Sequence, residues 1–122
     1  MLKYKHILAA TDFHKEDLPV ITKAVELAKQ YDAELSVVHV VPSVPYYMAS
    51  GLSSISDIED HLEDQTKERL TDIEKEFDIK IKTHMVHGLP KKEIVALADE
   101  LKADLIIVGS HGKHGAQLLL GS

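Results

Sequence analysis

A doubly wound α/β fold is predicted by three observations. Short, nearly charge-free β-branched runs recur along the chain, and amphipathic helical stretches separate them. A glycine-rich segment follows the run Leu105-Ile106-Ile107-Val108 directly, where open parallel sheets commonly bind anions. The 122 residues suit one domain with one core, 44% hydrophobic and 28% charged.

The elements follow in order. Lys5 to Asp12 reads as a first strand, apolar in the middle and ending on the polar pair Thr11-Asp12. Asp17-Leu18-Pro19 marks a helix start, with proline in the first turn. Val20, Ala24, Leu27, Ala28 and Tyr31 then recur at helical spacing. Leu35 to Val41 is a second strand, stopped by Pro42. Residues 42–52, PSVPYYMASGL, are irregular yet apolar, which suits either a cap on the sheet end or a lid over a ligand.

Ser56-Asp57-Ile58-Glu59 has capping-box spacing, and Ile58, Leu62, Leu70, Ile73 and Phe77 form the inward stripe of the helix behind it. Ile79 to Val86 alternates apolar and polar residues, as a strand with one wetter face does. Gly88-Leu89-Pro90 opens a third helix, with Ile94, Leu97, Ala98 and Leu101 on its apolar side. Asp104 starts the fourth strand, which runs to Val108, and the loop begins at Gly109. The alternation β-α-β-α-β-α-β implies a parallel sheet covered on both faces.

Composition and motifs exclude several functions. A net charge of −6 without a basic patch argues against nucleic acid. With no cysteine there is no disulfide framework, thiolate metal site or thiol nucleophile. No apolar run approaches the ~20 residues of a membrane span, and Met1 to His6 leads into no signal-peptide core, so the expected address is cytoplasmic. Gly112-Lys113 is followed by His114, so there is no P-loop. Glycines 109, 112 and 115 follow the fourth strand, where a dinucleotide fingerprint would follow the first. The third strand ends in Met85-Val86-His87 without the aspartate of a phosphoacceptor domain. The pairs His111/His114 and His84/His87 lack a carboxylate at metal-site spacing, so no metal is expected. Ser110-His111 is not a nucleophile–base pair, and no GxSxG elbow is present. What survives is an anion or nucleotide site at the carboxyl ends of the strands. Asp12 there could accept from a ribose hydroxyl or an adenine amine, or could cap the turn that follows it.

The segments KHILAATDF, LSVVHVV and HGLPKKEIVALADELKADLIIVGSHGKHG, followed by LLLGS, resemble the universal stress proteins, in particular the small single-domain bacterial kind. The resemblance covers essentially the whole chain. It implies a Rossmann-like α/β fold of the adenine nucleotide alpha hydrolase type, with a five-stranded parallel sheet. It also implies a homodimeric stress-response protein that regulates or binds and is not an enzyme. One branch of the family takes ATP or AMP through glycine, two residues, glycine, nine residues, then glycine with Ser or Thr. Carried over, Asp12 and the backbone of Val40 face adenine, Gly109 and Gly112 approach ribose and phosphates, and Gly121 and Ser122 hold the phosphates. The other branch binds no nucleotide and implies a dimer working through protein partners.

Two departures bear on this. Lys113 to Leu120 is eight residues, not nine, and one residue turns a helical segment by about 100°. The sequence also stops at Ser122, where family members continue into another helix and strand. The expected sheet is therefore 3-2-1-4 with its fifth place empty. That leaves Leu105 to Val108 as an unprotected edge through which copies would associate.

Overall fold

A computed structural model of the chain describes residues 4–13, 18–41, 55–110 and 115–120. Its elements in chain order are β1 (His6–Ala10), α1 (Leu18–Tyr31), β2 (Glu34–Val41), α2 (Ile55–Glu76), β3 (Ile81–His87), α3 (Pro90–Leu101), β4 (Leu105–Ser110) and β5 (Gly115–Leu120). The strands form one sheet in the order β3-β2-β1-β4-β5. The β1–β2, β1–β4 and β2–β3 pairs are parallel, as the alternation of strands and helices requires.

Side chains alternate across the sheet, so each apolar strand feeds two cores. On one face Ile7, Ala9, Leu35, Val37, Leu105 and Ile107 pack against Val20, Ile21, Ala24 and Ala28 of α1 and Leu70 and Ile73 of α2. On the other face Leu8, Val38 and Ile106 pack against Leu97 and Ala98 of α3. The continuous apolar character of β1, β2 and β4 is thus explained by burial on both sides. The more polar β3 is the edge strand beside β2, half-buried or exposed after Ile81.

The starts of β1 and β4 are clipped together by Asp104. Its Oδ2 accepts the amides of Lys5 at 2.7 Å and His6 at 3.1 Å. Its own amide donates to the His6 carbonyl at 2.8 Å.

The last element corrects an expectation. The fifth place in the sheet is filled, and β4 is not an edge. Residues Gly115–Leu120 turn back antiparallel along β4, from Ser110↔Gly115 to Leu105↔Leu120. An antiparallel neighbour needs only a short connection, where a parallel one needs a crossover of a dozen or more residues. The strand therefore comes from residues read as part of the loop and the apolar segment after it. For the same reason β4 runs on through Gly109 and Ser110, beyond the predicted stop at Val108. α2 begins at Ile55, one residue ahead of the predicted cap Ser56. The irregular stretch 42–52 and Asp17 of the predicted α1 start lie outside the described residues.

Among the described residues, few polar groups lie inside the α3 face. His6 is buried and its Nε2 meets Ser36 Oγ at 2.7 Å. On β3 the His84 Nε2 is buried with no hydrogen-bond partner among the described residues. Burial holds the His84 pKa below its ordinary value of 6.5; nearby His6 adds to this, Glu100 of α3 opposes it and Lys82 adds to it.

Two measurements test this packing. Ile107→Ala removes a fully buried side chain between β1 and the helices and should cost about 2–5 kcal/mol in denaturant unfolding. The fold favours neutral His84, whereas the unfolded chain takes up its proton near pH 6.5. The stabilising preference for the neutral ring is therefore complete above pH 6.5 and is lost as pH falls towards the lower folded value. Thermal melts at pH 7.5 and pH 5 should show a larger acid loss for the native chain than for His84→Leu, and equal losses would contradict this assignment.

Candidate functional site

β1 sits where the chain order in the sheet reverses, between β2 and β4. At such a switch point the connections leave in opposite directions and open a crevice beyond the strands' carboxyl ends. Here the crevice is a groove of about 320 Å³ lined by Ala10, Thr11 and Asp12 after β1, Pro90 and Ile94 of α3, and Val108 and Gly109 of β4. That volume lies at the lower end of the range for small-molecule sites. A larger groove of about 520 Å³ lies at the opposite rim, between the end of α1 and the starts of β2 and β3. Two of its three lysines are already paired, Lys29 with Asp78 at 2.6 Å and Lys82 with Glu34 at 3.7 Å. The smaller groove has the position and the unlike neighbours that a binding site needs.

The sequence-predicted residues fall as follows. Asp12 is exposed at the tip of β1 and lines the groove. Gly109 lines it from β4, as a strand residue paired with Ala116 and not as a loop residue. Val40 is buried in β2. Its backbone direction follows from strand parity. The Val38 carbonyl turns to β1 and accepts the Thr11 amide at 3.0 Å, so two residues on Val40 turns its polar groups the same way, over the end of β1. Gly112, Gly121 and Ser122 lie outside the described residues. Leu120, the last described residue, stands opposite Leu105, at the rim away from the groove.

Ala10, Thr11, Pro90, Ile94 and Val108 complete the lining. Only the rim position of Thr11 was legible beforehand. Pro90 and Ile94 reach the groove because α3 packs over β1 and β4, a tertiary placement that helical spacing alone does not report. α3 begins there at Pro90 with no side-chain cap, leaving first-turn amides at the rim beside exposed Lys91 and Lys92.

A second, smaller groove of about 180 Å³ lies across the sheet and shares Thr11, with Phe13, Ile21, Arg69 and Ile73 around it. The histidine pairs weighed for a metal do not assemble among the described residues. His84 and His87 are three apart on one strand and so face opposite sides; His87 Nε2 lies 2.8 Å from Glu63 Oε1 of α2. His111 and His114 are outside the described residues.

Fold and groove together define an α/β protein with a mainly parallel sheet and a groove at its topological switch point. The chain matches the universal stress protein family over residues 3–122 and belongs to it. It is 39% identical over 125 residues to universal stress protein A homolog 2 of Coxiella burnetii, covering 100% of this chain and 86% of that protein. The solved structure of MJ0577 from Methanocaldococcus jannaschii superposes with a TM-score of 0.75 at 28% identity, over 92% of this chain and 78% of that one. A universal stress protein crystallised in complex with cAMP superposes with a TM-score of 0.63 at 25% identity, over 91% of this chain and 76% of that one. No helix among the described residues is long and apolar enough to cross a membrane.

The turn that leads from β3 to the groove depends on one glycine. Gly88 has φ +137° and donates its amide to the Val41 carbonyl at 3.2 Å, while a Cβ there would meet Glu93 Cγ at 3.0 Å. Gly88→Ala should therefore destabilise the protein by about 1–3 kcal/mol in chemical denaturation, through both backbone strain and the displaced Glu93.

Proposed function

We propose that this chain is a stress-response binding protein that takes an adenine nucleotide, ATP or AMP, in the groove between β1 and β4. One observation carries the reading. Asp12 and Gly109, singled out from the sequence at the ends of different strands, line the same groove at the switch point. In this reading the Asp12 carboxylate accepts from ribose or from the adenine amine, the Val40 backbone meets the base edge, and Gly109 lets the sugar approach β4. The uncapped start of α3 with Lys91 and Lys92 supplies a rim that tolerates negative charge. Gly112 remains the phosphate contact that the family resemblance implies, whereas Gly121 and Ser122 directly follow Leu120, which stands opposite Leu105 at the far rim, and are not part of this reading. The relative bound to cAMP supports an adenine ligand.

The reading is of binding without turnover. The sequence offers no Walker lysine and no paired carboxylates for a metal. Hydrolysis should be negligible beside the ~1–1000 per second common among enzymes. In this reading the protein works in the cytoplasm as a homodimer.

Calorimetry with ATP and with AMP tests the proposal. Binding is expected with Kd of about 1 μM or weaker, since the glycine spacing is short by one residue. Asp12→Ala should weaken ATP and AMP alike, by about tenfold, the size of one charge-assisted hydrogen bond. Absence of binding for both at millimolar concentration would remove the nucleotide reading and leave the one based on protein partners.

A further inference from the structure

The tip of β1 is held in an unusual way. After Ala10 the strand ends, and Phe13 takes a left-handed backbone conformation with φ 65°. A bulky residue rarely sits there without support from its surroundings. The turn closes on itself through the Phe13 amide, which donates to Thr11 Oγ1 at 3.0 Å. Its support comes from the next strand. His39 Nδ1 lies 2.7 Å from the Thr11 carbonyl, and because a carbonyl only accepts, the proton is on Nδ1. The same imidazole lies 4.4 Å from the Phe13 ring at an interplanar angle of 35°. The Arg69 guanidinium of α2 stands 5.4 Å from the Phe13 ring centroid.

Asp12 lies between the two residues so held. Strand parity places His39 with Val37, on the face covered by α1 and α2, whereas the nucleotide groove opens on the face of α3. Thr11 lines the grooves on both faces.

We propose that His39 is the positioning residue of the groove: its Nδ1–H to the Thr11 carbonyl and its contact with Phe13 fix the β1 tip that presents Asp12, from the opposite face of the sheet. This deepens the nucleotide reading above and rests on it for its effect on affinity. The positioning itself does not depend on a ligand. Arg69 extends the clamp, so that the seating of α2 is felt at the site.

The experiment has two arms, so that the two ideas can fail separately. In the ligand-free protein, hydrogen exchange at the amides of Asp12 and Phe13 should quicken by about tenfold or more in His39→Leu relative to the native chain. It should return most of the way in His39→Asn, whose amide can donate from near the Nδ1 position. Unchanged exchange in His39→Leu overturns the positioning role, whatever the protein binds. Calorimetry with ATP is the second arm. His39→Leu should weaken binding about tenfold, and His39→Asn should stay within about threefold of native. The double variant Asp12→Ala/His39→Leu should bind no worse than Asp12→Ala alone, because residues acting through one another are not additive. Losses that multiply to about a hundredfold would show that His39 does not act through Asp12. If the native chain binds no ATP while the exchange result holds, the nucleotide reading falls and the positioning of the β1 tip stands.

Discussion

The pairing of β1 with β4 is the contact on which the rest of the structure depends. Both strands are buried on both faces, so a shift of one residue would turn every side chain of one strand to the wrong core. The Asp104 carboxylate holds the register by taking two amides at the start of β1. The groove lies at the other end of the same pair. Its geometry, with Thr11 and Asp12 facing Val108 and Gly109, is therefore set by a bond a strand's length away.

The two faces of the sheet carry different loads. The face under α1 and α2 is apolar over most of its area and supplies the larger core. The face under α3 has the smaller core and holds both the buried pair His6–Ser36 and the groove. A site needs polar groups and open volume, and both cost stability when they interrupt a core. Placing them beneath the shortest of the three described helices leaves the main core intact.

The central strands were legible in the sequence because burial on both faces leaves a plain signature, an apolar run bounded by polar or turn residues. β3 was legible for the opposite reason, its alternation at an edge. The fifth strand was not. Gly115-Ala116-Gln117 carries no strand signal, and Leu118-Leu119-Leu120 names no direction, so only pairing with β4 reveals the hairpin. Asp12 and Gly109 were found from their places after apolar runs. Phe13 and Arg69 were missed, since nothing in a phenylalanine announces a positive φ and nothing in a helical arginine announces an aromatic beneath it. His39 stood in the sequence only as a residue of the second strand. Its bond to Thr11 exists only through the register of two strands whose bonded residues are 28 apart in the chain.

The clip between His6 and Asp104 joins residues 98 apart in the chain, whereas β4 and β5 are successive elements. Contacts of such different range form on different timescales, because a long loop must be closed before a distant pair gains anything. During synthesis β1 can pair with β2 early but waits for β4 until the intervening residues have left the ribosome. The groove, with one wall from each of these strands, has no partial form in a growing chain. A ligand held there would meet only molecules in which β1 and β4 have paired, and its occupancy would report that pairing as well as its own concentration.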